Sequence, residues 1–401
     1  MSKHTSVPPD TIVPTDLSLI HQSSKLLLVT ETPSGTPNGF GVTLECMFRE
    51  IDHRLVYTDA DFKEFGDTLG YLLAQVPYHP SGRFLLSFLV GKIPEWRGRY
   101  SSAWLKEHLS GKFSCVYAFV YSTECMKYAH WIANKHKIPF VVHLADHSAE
   151  FELSTSTEIL RGASKLVCIT EEMKFMYERT LGRKDIEVLH NGAEQACFQI
   201  PPPNTELFSE QNPFVLCFIG GLFSNLHGDC IEDLFEAVFQ IRKKIPWIEF
   251  HLYGQRQPCD FLEDLIHLNG ITHHGIVMPL EKKFEIMKKA HCFVIPSSFK
   301  EEKHRHYRYS FPTKLPELIA SSRPILSYGP KETATNKILG MNNLGIRIHD
   351  RSVTKLVESL ETLVGQYHES IKKFSSISPT ILEKFSSDYV RRKLRNILSF
   401  Y

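Results

Sequence analysis

Twelve short apolar runs, separated by longer amphipathic stretches, constrain the fold of this chain more than any other feature. They fall at 25–30, 54–57, 114–120, 139–144, 165–169 and 186–189, and again at 214–219, 247–253, 271–274, 291–295, 324–327 and 345–348. Runs this short suit strands. Between them lie stretches such as 230–243, with apolar residues at 231, 234, 235, 238 and 241, the spacing of one helical face. Strand, helix, strand in repetition predicts an α/β fold, with parallel sheets carrying helices on both faces. At 401 residues the chain exceeds one typical core. The proline-rich stretch IPPPNTELFSEQNP at 200–213 reads as a linker. The expected layout is a polar tail at 1–24, a doubly wound domain at 25–199, the linker, a second doubly wound domain at 214–378 and a closing helical segment at 379–401. Ligands of such sheets bind beyond the carboxyl ends of the strands. Two of them facing across a cleft suit group transfer between two bound molecules.

Composition removes several classes of function. A formal net charge of +1 argues against a dedicated nucleic-acid binder. The nine cysteines are odd in number, scattered and without a C-x-x-C pair, so they read as small buried hydrophobes in a reducing compartment. No zinc-ligand spacing is present. The N-terminus MSKHTSVPPDTIVPTD lacks the apolar centre of a signal peptide, and the apolar stretch 84–90 is far short of the roughly 20 residues that span a bilayer. A cytoplasmic protein is expected, at most peripheral on a membrane. The segment 83–112 carries six Lys or Arg against two acids, interleaved with Phe84, Phe88, Trp96 and Trp104. That mixture suits an anionic membrane surface; the alternative is a helix packing its apolar face into its own domain.

The strongest chemical signal is SFPTKLPELIASSRPILSYG at 310–329. Thr313 is placed to cap a helix whose first turn holds Pro316, where a missing N–H costs little. The start of such a helix offers free N–H groups to a diphosphate, Lys314 adds a full charge, and Glu317 can accept from a ribose diol. The plainer reading is an ordinary capped helix with a solvated Lys and Glu.

With Lys314, Glu317, Ala320, Arg323, Pro324 and Ile325 in register, this segment resembles the K-x-x-E-x-x-A-x-G-x-P hallmark of the retaining GT-B glycosyltransferases of family four, with Ser322 at the family glycine. FIGGLF at 218–223, HLYGQ at 251–255, the stretch 271–298 and the segment 168–194 resemble other parts of that pattern, so the likeness covers roughly 138–330. It implies two facing doubly wound domains and transfer of a sugar from a nucleoside diphosphate sugar to an acceptor hydroxyl, with retention and no metal or other cofactor. Gly220 and Gly221 would let the backbone approach the pyrophosphate. Two positions depart from the family. Tyr309 stands where a first glutamate is usual, and the Arg or Lys expected after the glycine pair is missing from FSNLHGD. The basic loop 299–310, Arg308 included, is expected to supply that charge. In the first half, Gly35, Gly39 and Gly41 match a glycine-rich acceptor loop, and His143 and Asp146, with His147 beside them, are expected at the transferred sugar. Asp59 and Asp61 form a D-x-D triplet, which in another transferase fold binds a metal; here it also reads as a helix N-terminus. A sugar-nucleotide 2-epimerase and a catalytically silent binding partner of the same fold are the alternatives.

Overall fold

The computed structural model describes residues 25–32, 34, 39–57, 113–205, 207–255, 269–277 and 280–401. Each of the twelve apolar runs forms a strand. Strands β1 (Lys25–Thr30), β2 (His53–Tyr57), β3 (Phe113–Val120), β4 (Phe140–Leu144), β5 (Lys165–Cys168) and β6 (Glu187–Val188) make one sheet in the order β2-β1-β3-β4-β5-β6. Strands β7 (Phe214–Ile219), β8 (Ile248–Tyr253), β9 (Ile271–His273), β10 (Cys292–Pro296), β11 (Ile325–Tyr328) and β12 (Ile346–Ile348) make a second in the order β12-β11-β10-β7-β8-β9. All neighbouring strands are parallel. Central strands such as β10 are buried along their whole length because helices cover both faces, hence the unbroken apolar runs.

The first domain holds α1 (Gly39–Phe48), α2 (Thr123–His136), α3 (Ser154–Gly162) and α4 (Glu171–Leu181). A short helix, α5 (Gln195–Phe198), leads towards the second domain, whose helices are α6 (Ser224–Ile241), α7 (Leu280–Lys289), α8 (Glu301–Tyr309), α9 (Leu315–Ala320), α10 (Ala334–Met341), α11 (Val353–Gly365) and α12 (Tyr367–Ser375). Helices α13 (Pro379–Glu383) and α14 (Ser387–Leu398) close the chain. Caps explain several starts: Ser122, Thr170, Thr333 and Ser352 each accept a hydrogen bond from a backbone N–H in the first turn that follows. The helix expected at 230–243 begins earlier, and bends at His227, whose Nε2–H donates to the Gly221 carbonyl at 2.9 Å.

The chain crosses between the domains twice. Helix α14 packs Val390, Leu394 and Ile397 with Leu44, Met47 and Phe48 of α1, so the last helix belongs to the first domain's core. The two crossings lie side by side: Ala193 N–H donates to Phe385 O at 2.7 Å and Ser387 N–H to Ala193 O at 2.8 Å. Gly192 permits this approach, since a Cβ there would sit 2.6 Å from the Ser386 backbone. Arg323, in the family-like motif, is fully buried and clamps four carbonyls, those of Ala290, Ser321, Lys288 and Pro201, at 2.8–3.0 Å. Through Pro201 it fastens the linker to the second domain.

Candidate active site

Between the sheets lies a cavity of about 240 Å³. Its floor comes from the carboxyl ends of β3, β4 and β6 and from α1; its roof is the strap Ser310–Phe311 with Thr313 from the second domain. His143 and Asp146 both line it. His143 is fully buried, however, and both of its ring nitrogens are engaged. Nε2–H donates to the Leu189 carbonyl at 2.8 Å, which leaves Nδ1 to accept from the Tyr117 hydroxyl at 2.9 Å. Burial pulls its pKa down to about 3. In this arrangement both ring nitrogens are engaged, and His143 ties β3 and β4 to the segment that follows β6. His190 also lines the cavity, its ring stacked on Phe311 at 4.4 Å and 10°, and burial lowers its pKa to about 4.

Asp146 reaches across the cleft. Its Oδ1 accepts from Ser310 Oγ at 2.6 Å and from the His147 N–H at 2.7 Å. Gly39 starts α1, and a Cβ there would meet Thr313 Oγ1 at 2.7 Å, so glycine lets the two domains approach. Gly41 is buried in the same helix. Gly35, Asp59, Asp61 and the segments 1–24 and 83–112 lie outside the described residues.

In the second domain, Gly220 and Gly221 follow β7, beside β10 at the switch point of the sheet. The tightest demand for glycine falls one strand over. Gly254, at φ 146°, would place a Cβ 1.8 Å from Gly220 O. Lys314 and Glu317 do not line the cavity. Glu317 Oε2 is paired with Lys283 Nζ, a side chain that is only 9% exposed. Lys314 stands beside this pair; burial lowers its pKa first, Glu317 raises it, and Lys283 lowers it again.

Two further expectations change. Thr313 does not cap α9; Lys314 occupies the N-cap position with helical dihedrals and no side-chain cap, while the Thr313 carbonyl accepts from Asn191 of the first domain. The basic loop at 299–310 is the exposed helix α8, and its charge faces the first domain. Arg305 pairs with Glu152, and His306 lies 3.8 Å from Asp146. Arg308 and Tyr309 line a separate groove with α4 and α10. Among the described residues, no group of three His, Cys, Asp or Glu is placed to hold a metal ion, and no helix is long and apolar enough to cross a membrane.

Residues 213–366, the whole of the second sheet with its switch point, match the family described as glycosyl transferases group 1. Similar folds recur among solved structures. HepE of Anabaena in complex with UDP is 15% identical with a TM-score of 0.65, over 94% of this chain and 100% of that one. WaaB, a lipopolysaccharide outer core galactosyltransferase, is 17% identical with a TM-score of 0.59, over 94% and 100%. A glycosyltransferase of Rickettsia africae is 13% identical with a TM-score of 0.61, over 94% and 98%. The chain has the GT-B fold, and its residues 213–366 match the group 1 glycosyl transferases. No curated protein matches it in sequence.

Several residues around these sites carry no motif. Lys283 shares a helical stripe with the buried Met287 and Ala290, so a lysine at the first of positions i, i+4 and i+7 on an apolar face was its available signal. His190, Asn191 and Phe311 carry no periodic signal, because each meets the cavity only through packing between domains.

Proposed function

We propose that this glycosyltransferase moves a sugar from a nucleoside diphosphate sugar onto an acceptor hydroxyl held in the interdomain cavity. The observation that carries this reading is the group 1 match at 213–366; a glycine pair at that sheet's switch point and a cavity built from the first sheet's carboxyl ends support it. The donor diphosphate would lie along the Gly220–Gly221 backbone, where a side chain would obstruct it. Lys314 would balance the charge that grows on the leaving diphosphate. Lys283 holds one oxygen of Glu317, which leaves the other to receive a ribose hydroxyl. Solved HepE structures contain UDP and UDP-glucose, so UDP-glucose is the first donor to try. By resemblance the transfer retains anomeric configuration and needs no metal, and WaaB's named activity favours a polysaccharide or glycolipid acceptor. The eight described cysteines are free and buried, in keeping with a cytoplasmic setting.

Turnover of labelled UDP-glucose, with nucleotide binding measured alongside, tests the assignment. Glu317→Ala and Lys314→Ala should each weaken nucleotide binding roughly ten- to a hundredfold, since a charged hydrogen bond to ligand contributes about 1.5–3 kcal/mol. Unchanged binding in both variants would overturn it. Activity should also survive EDTA; its loss, with rescue by manganese, would move the donor site to a metal centre.

A further inference from the structure

A second groove, of about 600 Å³, opens where α4 of the first domain meets α8 and α10 of the second. Its apolar side is Met176, Tyr309 and Phe175, a phenylalanine that is 58% exposed. Three cations line it, Arg179, Arg308 and Lys337, against one acid, Glu172. Lys337 pairs with Glu172 at 3.3 Å. The two guanidinium groups have no carboxylate partner among the described residues; Arg308 lies over the Tyr309 ring at 5.8 Å. In a chain whose net charge is only +1, two arginines without a carboxylate partner among the described residues and an exposed phenyl ring in one concavity are a local concentration of binding groups.

We propose that this groove binds an organic phosphate, with the phosphate between Arg179 and Arg308 and the apolar body on Phe175 and Met176. The arginine fork matches phosphate oxygens in pairs, and a concave wall strengthens its field. An exposed aromatic surface beside the fork adds affinity only for a phosphate that carries an apolar group. Both domains build the groove, and Thr170 Oγ donates to Tyr309 O at 2.9 Å at its edge, so the ligand binds the docked arrangement. The glycine pair, Lys314 and Glu317 lie elsewhere, so this inference stands apart from the proposed transfer. A phospholipid headgroup and a soluble phosphate monoester share the required chemistry.

Calorimetric titration of the full chain at low salt, with hexyl phosphate, inorganic phosphate and hexanol, tests the proposal. Hexyl phosphate should bind at least tenfold more tightly than inorganic phosphate, and hexanol should not saturate. The double variant Arg179→Glu with Arg308→Glu should lose this binding, and Phe175→Ser should reduce hexyl phosphate to the level of inorganic phosphate. If the double variant melts early, the single Arg179→Gln and Arg308→Gln variants are titrated instead. Equal hexyl phosphate affinity in wild type and variants, or none in wild type, overturns the site. Sedimentation with phosphatidate–phosphatidylcholine vesicles then separates the sources. Co-sedimentation that the double variant loses supports the site with a lipid ligand; hexyl phosphate binding without co-sedimentation supports it with a soluble one.

Discussion

At the switch point of the first sheet, between β1 and β3, the carboxylate of Glu31 fills the space: its Oε1 accepts from the N–H groups of Tyr121 and Ser122 and from Ser122 Oγ, at 2.7–3.0 Å. At the corresponding point of the second sheet, two glycines follow β7 and a third, Gly254, abuts their backbone. One switch point holds a side chain that ties β1 to the start of α2; the other is bordered by three glycines. The contrast extends to the neighbouring groups. On the first sheet, Tyr117 and Leu189 engage His143 from 26 and 46 residues away in sequence. On the second, backbone distance requires glycine at Gly254, while a Cβ at Gly220 or Gly221 would meet the rings of Phe218 and Phe223.

The largest expected effect tests the main-chain side of this contrast. Gly254→Ala forces a side chain against Gly220 O at an unfavourable φ, and should cost about 4 kcal/mol of stability along with nucleotide binding. Denaturant unfolding checks it, and wild-type stability would remove the argument for a main-chain site. His143→Leu tests the other side. It strands the Tyr117 hydroxyl and the Leu189 carbonyl in the interior, so unfolding should reveal a loss of about 3 kcal/mol. Loss of turnover at full stability would instead return His143 to the chemistry.

A pH series sharpens the comparison. His143 and His190 have folded pKa values of about 3 and 4, below the ordinary 6.5, because burial disfavours their charged forms. Unfolded chains take up these protons first. The histidine contribution is therefore complete above pH 6.5 and is lost as pH falls towards 4, by roughly 2 kcal/mol per histidine at pH 5. Glu31 acts in the opposite direction. Burial raises its pKa to about 7 from 4.5, so its contribution is present below pH 4.5 and is lost as pH rises through 7. Thermal unfolding from pH 4 to 8 should show stability falling on acidification, less steeply in His143→Leu and more steeply in Glu31→Gln. Identical profiles in all three proteins would mean that these groups do not titrate as their burial requires.

The smallest effect concerns the family-like motif. Ser322 takes φ 55°, a left-handed conformation natural to glycine, so Ser322→Gly should stabilise the protein by about 1 kcal/mol. A lower melting temperature in that variant would mean that the serine side chain contributes more than its backbone strain costs.

What the sequence determined by itself was the architecture. Strand runs, helical periods, the linker and the glycine pair are local patterns, and local sterics with burial of one face suffice to produce them. The same locality explains why Ser322, aligned with a family glycine, takes a glycine-like dihedral. Tertiary structure alone decided what the charged and polar side chains do. Lys283 reaches Glu317, Ser310 reaches Asp146, Arg305 reaches Glu152, and both nitrogens of His143 are engaged, in each case through partners distant in sequence. A histidine or lysine is free to act on a ligand only where packing leaves its polar atoms unpaired. Which partner a polar side chain finds is a property of the folded neighbourhood, and no spacing along the chain encodes it.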